Sequence, residues 1–174
     1  LEEAMIKVIV GPAKKSRVIS DAEKKLTAYH EAGHAISTWV RQPDEPVHQI
    51  SIIPAGRAGG YTLSFPKEDK SYMSKGMMES EIVTLLGGRV AEQIILGDIS
   101  TGASNDIQRA TGLARNMVAL YGMSEELGLM APATVQGQYL EGQAYLDCSQ
   151  ETSAKVDAAV QKLLNESFSD AVKL

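Results

Sequence analysis

The chain contains a single cysteine, Cys148, among 174 residues, so no internal disulfide can form, and this is compatible with a reducing compartment. No stretch approaches the roughly 20 consecutive apolar residues that a membrane-spanning helix needs, and no signal-peptide pattern opens the chain. Positive charge is short as well: Lys and Arg number 17 against 22 Asp and Glu, a net charge of −5. Phosphate backbones are held by clustered cations, so this balance disfavours a nucleic-acid partner. Internal repeats and low-complexity tracts are missing. The first residue is not methionine, and the opening LEEAMIKVIVGP reads as the end of a helix closed by Gly11-Pro12. We therefore expect a piece cut from a longer polypeptide.

What is present suffices for one folded domain. Apolar residues make up 44% of the chain, and ~150 residues already bury roughly 70% of the surface exposed on unfolding. Residues 13–20, within GPAKKSRVIS, are polar and basic and read as a linker, with Lys14, Lys15 and Arg17 on a solvated face. Ser20 then stands three residues before Glu23, the signature of a capped helix start. The helix it opens places Leu26, Tyr29, Gly33, Ile36 and Val40 on one stripe, expected to face the core, and should end near Arg41 ahead of Pro43 and Pro46. VHQISII (47–53) and the run from Tyr61 to Phe65 read as two strands of a small sheet. A second helix is expected from Ser74 to Leu96, with Met77, Met78, Ile82, Leu85, Leu86, Val90, Ile94 and Ile95 inward. Gly87-Gly88 within it costs roughly 1 kcal/mol per glycine and is tolerated best where another backbone packs close. A third helix should run from Ser104 or Asn105 to Tyr121, closed by Gly122. Residues 124–148 read as loops with short extended pieces, and a last helix begins near Ser149 with Val156, Val160, Leu163 and Leu164 on its apolar side. The fold class is mainly α, with a small β-hairpin beside the first helix.

That first helix carries YHEAGHA at 29–35. Residues i and i+4 of a helix share a face, so His30 and His34 can aim two imidazoles at one point. A catalytic zinc asks for such a pair, with nitrogens at about 2.0–2.1 Å, a third protein ligand and one open position. Glu31, about 100° round the helix, is placed to reach a water beside the metal without taking a ligand position. This is why H-E-x-x-H encodes metal-assisted hydrolysis. The plain alternative is an amphipathic helix with surface or core histidines. Candidates for the third ligand are His48, Asp98, Glu92 and Asp106. His48 reads better as an exposed strand residue. Glu92, in GGRVAE, resembles the helical glutamate that completes thermolysin-like sites; Asp106, in STGASND, is otherwise an acid favoured by a helix N-terminus at ~0.3–1 kcal/mol. The residues alone leave Glu92 and Asp106 level.

The segments GPAKKSRVIS…EKKLTAYHEAGHA, VHQISIIP…GGYT, GGRVAEQI, STGASNDIQRAT and ARNMVALYGMSEELG together resemble the FtsH-type ATP-dependent, membrane-anchored zinc proteases, in family order over nearly the whole chain. The resemblance implies a zinc endopeptidase domain over 21–174, with C-terminal helices of the family cut short, and makes 1–12 the tail of a preceding ATPase module. It implies His30, His34 and Asp106 as ligands of one Zn2+, Glu31 as general base, and Glu92 as a group orienting a histidine. It further implies unfolded or membrane-protein substrates, a homo- or hetero-hexamer, and membrane attachment through segments outside this chain. The peptidase would then face the cytosol, mitochondrial matrix or chloroplast stroma, with the fragment itself soluble. ATP would act only through the ATPase module, since no G-x-x-x-x-G-K-[ST] occurs here. Where the family commonly has arginine after the I-I-P turn, this chain has Ala55, with Arg57 nearby. Two other roles remain to be weighed: a non-catalytic scaffold of the hexamer, and a zinc hydrolase of another kind such as an aminopeptidase.

Overall fold

Three serines set where the long helices begin. In a computed structural model of the chain, Ser20, Ser74 and Ser149 each have extended backbone, and each side chain accepts the N–H three residues on. This satisfies one of the donors a helix start leaves unpaired, worth about 1 kcal/mol. The structure describes residues 6, 8–12, 14, 19–56, 58–68, 70–135 and 144–174. Residues 1–5 and 7 of the expected ATPase tail, 13 and 15–18 of the expected linker, and Arg57 lie outside them.

Among the described residues the elements run α1 (Asp21–Arg41), β1 (Val47–Ser51), β2 (Tyr61–Ser64), α2 (Lys75–Ala91), a π-helical turn (Glu92–Leu96), a 3-10 turn (Thr101–Ala103), α3 (Ser104–Ala119), β3 (Ala133–Val135), β4 (Ala144–Leu146) and α4 (Gln150–Val172). The fold is mainly α. Its strands make two antiparallel pairs, β1 with β2 and β3 with β4. In the first pair Gln49 stands opposite Leu63, Ile50 opposite Thr62 and Ser51 opposite Tyr61.

The apolar core lies between α2, α3 and α4. Ile82 and Leu86 of α2, Ala114 and Met117 of α3, and Val156 and Val160 of α4 belong to one buried cluster. Ile82 and Val156 are wholly buried, each contributing about 1.5–3 kcal/mol of hydrophobic stabilisation. Arg41 reaches from the end of α1 to Asp170 near the end of α4, at 2.9 Å.

Two expectations are corrected. The stripe of α1 that includes Tyr29, Ile36 and Val40 faces outward: these residues are 37, 51 and 48% exposed, and neighbouring Trp39 is 76% exposed. Gly33 of that stripe is buried as expected, and the rest of the buried face is His30, Glu31, Ser37 and Thr38. The reason is that α1 packs on α2 backbone to backbone, not through a layer of apolar side chains. A methyl group placed on Gly33 would collide with the Gly87 carbonyl oxygen, and one on Gly87 with the Gly33 carbonyl. Small and polar residues therefore fill the contact, and the glycines in α2 have the close neighbour that their helix cost calls for. The second correction concerns α2, which stops at Ala91 and continues as a π-helical turn. The wider turn breaks the 3.6-residue period, and Ile94 and Ile95 come out 57 and 52% exposed.

Candidate metal centre

The packing of α1 on α2 brings His30 and His34 against the second half of α2. His34 Nδ1 lies 2.8 Å from the Thr84 carbonyl oxygen, and His30 Nδ1 lies 2.7 Å from Glu92 Oε1. A carbonyl and a carboxylate only accept, so both Nδ1 atoms are the donors, which in a neutral ring leaves each Nε2 free to act as a ligand. Those two Nε2 atoms are 3.0 Å apart. Gly88 leaves room for the arrangement, since a Cβ there would stand 2.6 Å from His30 Cε1.

Asp106 arrives from the first turn of α3. Its Oδ2 is 3.4 Å from His30 Nε2 and 3.5 Å from His34 Nε2. The loop that carries it there is held at both backbone polar groups of Ser100, from the end of α2 and the π-helical turn after it. Glu92 Oε2 accepts the Ser100 N–H at 2.8 Å, and Arg89 donates to the Ser100 carbonyl at 2.9 Å. Glu92, wholly buried, thus fixes a histidine with one oxygen and the approach to Asp106 with the other.

Three possible ligand atoms converge here, the two Nε2 atoms and Asp106 Oδ2. Among the described residues, His30, His34 and Asp106 are the cluster able to hold a metal ion. Tetrahedral bonds of about 2.0–2.1 Å separate neighbouring ligand atoms by roughly 3.3–3.4 Å. The observed 3.0, 3.4 and 3.5 Å match that triangle, so the residues fit a zinc ion. The charges agree. Burial works against a charge on His30, but the carboxylates of Asp106 and Glu92 outweigh it and raise its pKa. Burial also opposes charge on Asp106, yet its bonds to the two imidazoles hold it well below the usual carboxylate range. The site attracts a cation.

Glu31 stands beside this cluster and outside it. It is 7% exposed, and burial pushes its carboxyl pKa up against the pull of the Thr62 hydroxyl and the imidazoles. Its Oε2 accepts from Thr62 on β2 at 2.9 Å. All four side chains line a cleft of about 940 Å³, whose other wall is formed by residues 58–64. Of the remaining ligand candidates, His48 is exposed and stacks obliquely on Phe65 with ring centres 5.2 Å apart. Asp98 is exposed and accepts the Ile99 N–H. Neither joins the cluster. Sequence reasoning gave no sign of Thr62, Thr84 or Ser100, because two of them act through backbone atoms and a threonine in a strand carries no signal of its own.

An H-E-x-x-H helix meeting a carboxylate from a distant part of the chain at the side of a cleft marks a metallopeptidase. The sequence profile of peptidase family M41 matches residues 17–174, and the chain belongs to that family. It is similar to the ATP-dependent zinc metalloprotease FtsH of Caldicellulosiruptor bescii, 51% identical over all of this chain and 29% of the relative. It is also similar to proteins of the same name from Rubrobacter xylanophilus, 46% identical over all of this chain and 27% of the relative, and from Thermotoga maritima, 46% identical over 99% of this chain and 29% of the relative. The chain therefore spans less than a third of the length of these relatives. Ala55 is buried and pairs through its backbone with Ala58.

Proposed function

We propose that His30, His34 and Asp106 hold one Zn2+ and that Glu31 is the general base of an endopeptidase. The convergence of three possible ligand atoms at tetrahedral spacing, open to a cleft, carries this reading. When bound, zinc supplies the Lewis acid that makes a water acidic near neutral pH and polarises the scissile carbonyl. Glu31 takes the proton of the attacking water on its carboxylate and later delivers it to the leaving amine. Thr84 and Glu92 hold the two imidazoles in the tautomer and orientation that keep Nε2 free. A scaffold has no use for a buried carboxylate facing a cleft.

Chelation followed by zinc add-back tests this. Peptide cleavage should vanish when the ion is removed and return when one equivalent per chain is restored. Cleavage by a zinc-free protein, or material that takes up no zinc, would sink the assignment.

The substrate lies along β2. Among the described residues β2 pairs only with β1, and residues 61–64 line the cleft that holds the metal centre. Backbone pairing on a strand edge accepts many side chains. Proline at Leu63 should weaken peptide turnover while zinc content stays at the wild-type level; unchanged turnover in such a zinc-loaded variant argues against docking there.

In the whole protein, the domain would cut unfolded or membrane-derived polypeptide delivered by an ATP-driven module outside this chain. The relatives' names as ATP-dependent metalloproteases support that coupling. Six-fold assembly and membrane attachment through segments outside the chain rest on the family resemblance alone. No helix among the described residues is long and apolar enough to cross a membrane.

A further inference from the structure

Thr62 belongs to the hairpin, not to the helix that carries Glu31, yet its hydroxyl oxygen lies 2.9 Å from Glu31 Oε2 and 2.9 Å from the carbonyl oxygen of the same residue. We propose that Thr62 is a positioning residue that holds the Glu31 carboxylate in its working orientation and ties it to the strand beside the cleft. The inference rests on the reading of Glu31 as general base.

Three observations carry it. Among the described residues, Thr62 makes the side-chain hydrogen bond to this carboxylate. Glu31 is 7% exposed, so water does not freely replace a lost partner. The strand also presses close to the helix here: a Cβ on Gly60 would stand 2.6 Å from Thr27 Cγ2 and 3.2 Å from Glu31 Cγ. A glutamate has three side-chain torsions, and a base that wanders among rotamers loses the alignment on which proton transfer depends.

The double contact has a chemical use. A hydroxyl has one hydrogen and two lone pairs. While Glu31 is a carboxylate, Thr62 donates to Oε2. Once Glu31 has taken the proton of the water, the Thr62 hydrogen can turn to the Glu31 carbonyl, and Oε2–H can then donate to Thr62 Oγ1. One side chain thus serves the base before and after the transfer, until the proton passes to the leaving amine. Valine, of nearly the same shape, serves neither state; serine serves both.

Zinc-loaded Thr62→Val should lose roughly tenfold or more in kcat for a short peptide, the effect of a lost hydrogen bond to a charged group. KM and zinc content should stay within about twofold of wild type, and Thr62→Ser should restore kcat. A Thr62→Val kcat within about twofold of wild type overturns the proposal. So does a loss shared equally by Thr62→Ser, or one that tracks loss of zinc. If the valine variant does not fold, Thr62→Ala against Thr62→Ser decides on the same terms, alanine activity at the serine level overturning it. Glu31→Gln in the same assay separates the two readings. If that variant remains active, the base assignment itself has failed; if it is inactive, adding Thr62→Val should cost nothing more.

Discussion

Glu31→Gln should abolish peptide cleavage, by about two to four orders of magnitude, the usual contribution of a positioned acid–base group, while zinc stays bound. The separation of the two readouts follows from the geometry. Glu31 stands outside the cluster formed by His30, His34 and Asp106, so its charge is not needed to hold the ion. Glutamine keeps the shape and an oxygen to accept from Thr62, which leaves the helix–strand contact at 2.9 Å in place. What it cannot do is take a proton. Cleavage that persists in the zinc-loaded variant removes Glu31 from the chemistry. Zinc lost together with activity would instead make Glu31 part of the metal-holding structure.

The second large effect separates the two buried carboxylates. Asp106→Ala should leave a protein that no longer retains zinc under conditions where wild type carries one ion per chain. Glu92→Ala should still bind, with affinity lower by about 10–100-fold, as for a residue that orients a ligand. Asp106 Oδ2 faces both Nε2 atoms at 3.4 and 3.5 Å, whereas Glu92 sits on the Nδ1 side of His30 at 2.7 Å. Glu92→Ala carries its own penalty. It strands the Ser100 N–H and His30 Nδ1 without acceptors, at about 1–3 kcal/mol for each buried group, so its thermal stability should fall further than that of metal-free Asp106→Ala. Metal affinity measured by competition with a chelator checks the order. If Glu92→Ala loses the ion and Asp106→Ala keeps it, the ligand assignment is wrong.

The legible parts of this protein are those in which cause and effect lie within one helical turn. Ser20, Ser74 and Ser149 mark helix starts because the capped N–H is three residues away, and His30 and His34 come together because i and i+4 share a face. The hairpin was readable from β-branched runs between prolines. The side of α1 that faces inward was not, because burial depends on the partner. A glycine of α2, far along the chain, decides that Ser37 is buried and Ile36 is not. Ile94 and Ile95 were misplaced for a related reason, since one wide turn shifts every later residue around the axis. Glu92 and Asp106 could not be ranked from their residue types, as either carboxylate satisfies zinc. Their separation comes from the orientation of the His30 ring, which only the packed structure displays.

The touching main chains at Gly33 and Gly87 bear on how stiff the cleft is. Where two rods touch main chain to main chain, sliding or rolling at that point meets backbone at once, so the two histidines, Glu92 and the Thr84 carbonyl form one stiff wall. An entering polypeptide meets that wall on one side and, on the other, the thin two-stranded ribbon that Thr62 moors to Glu31.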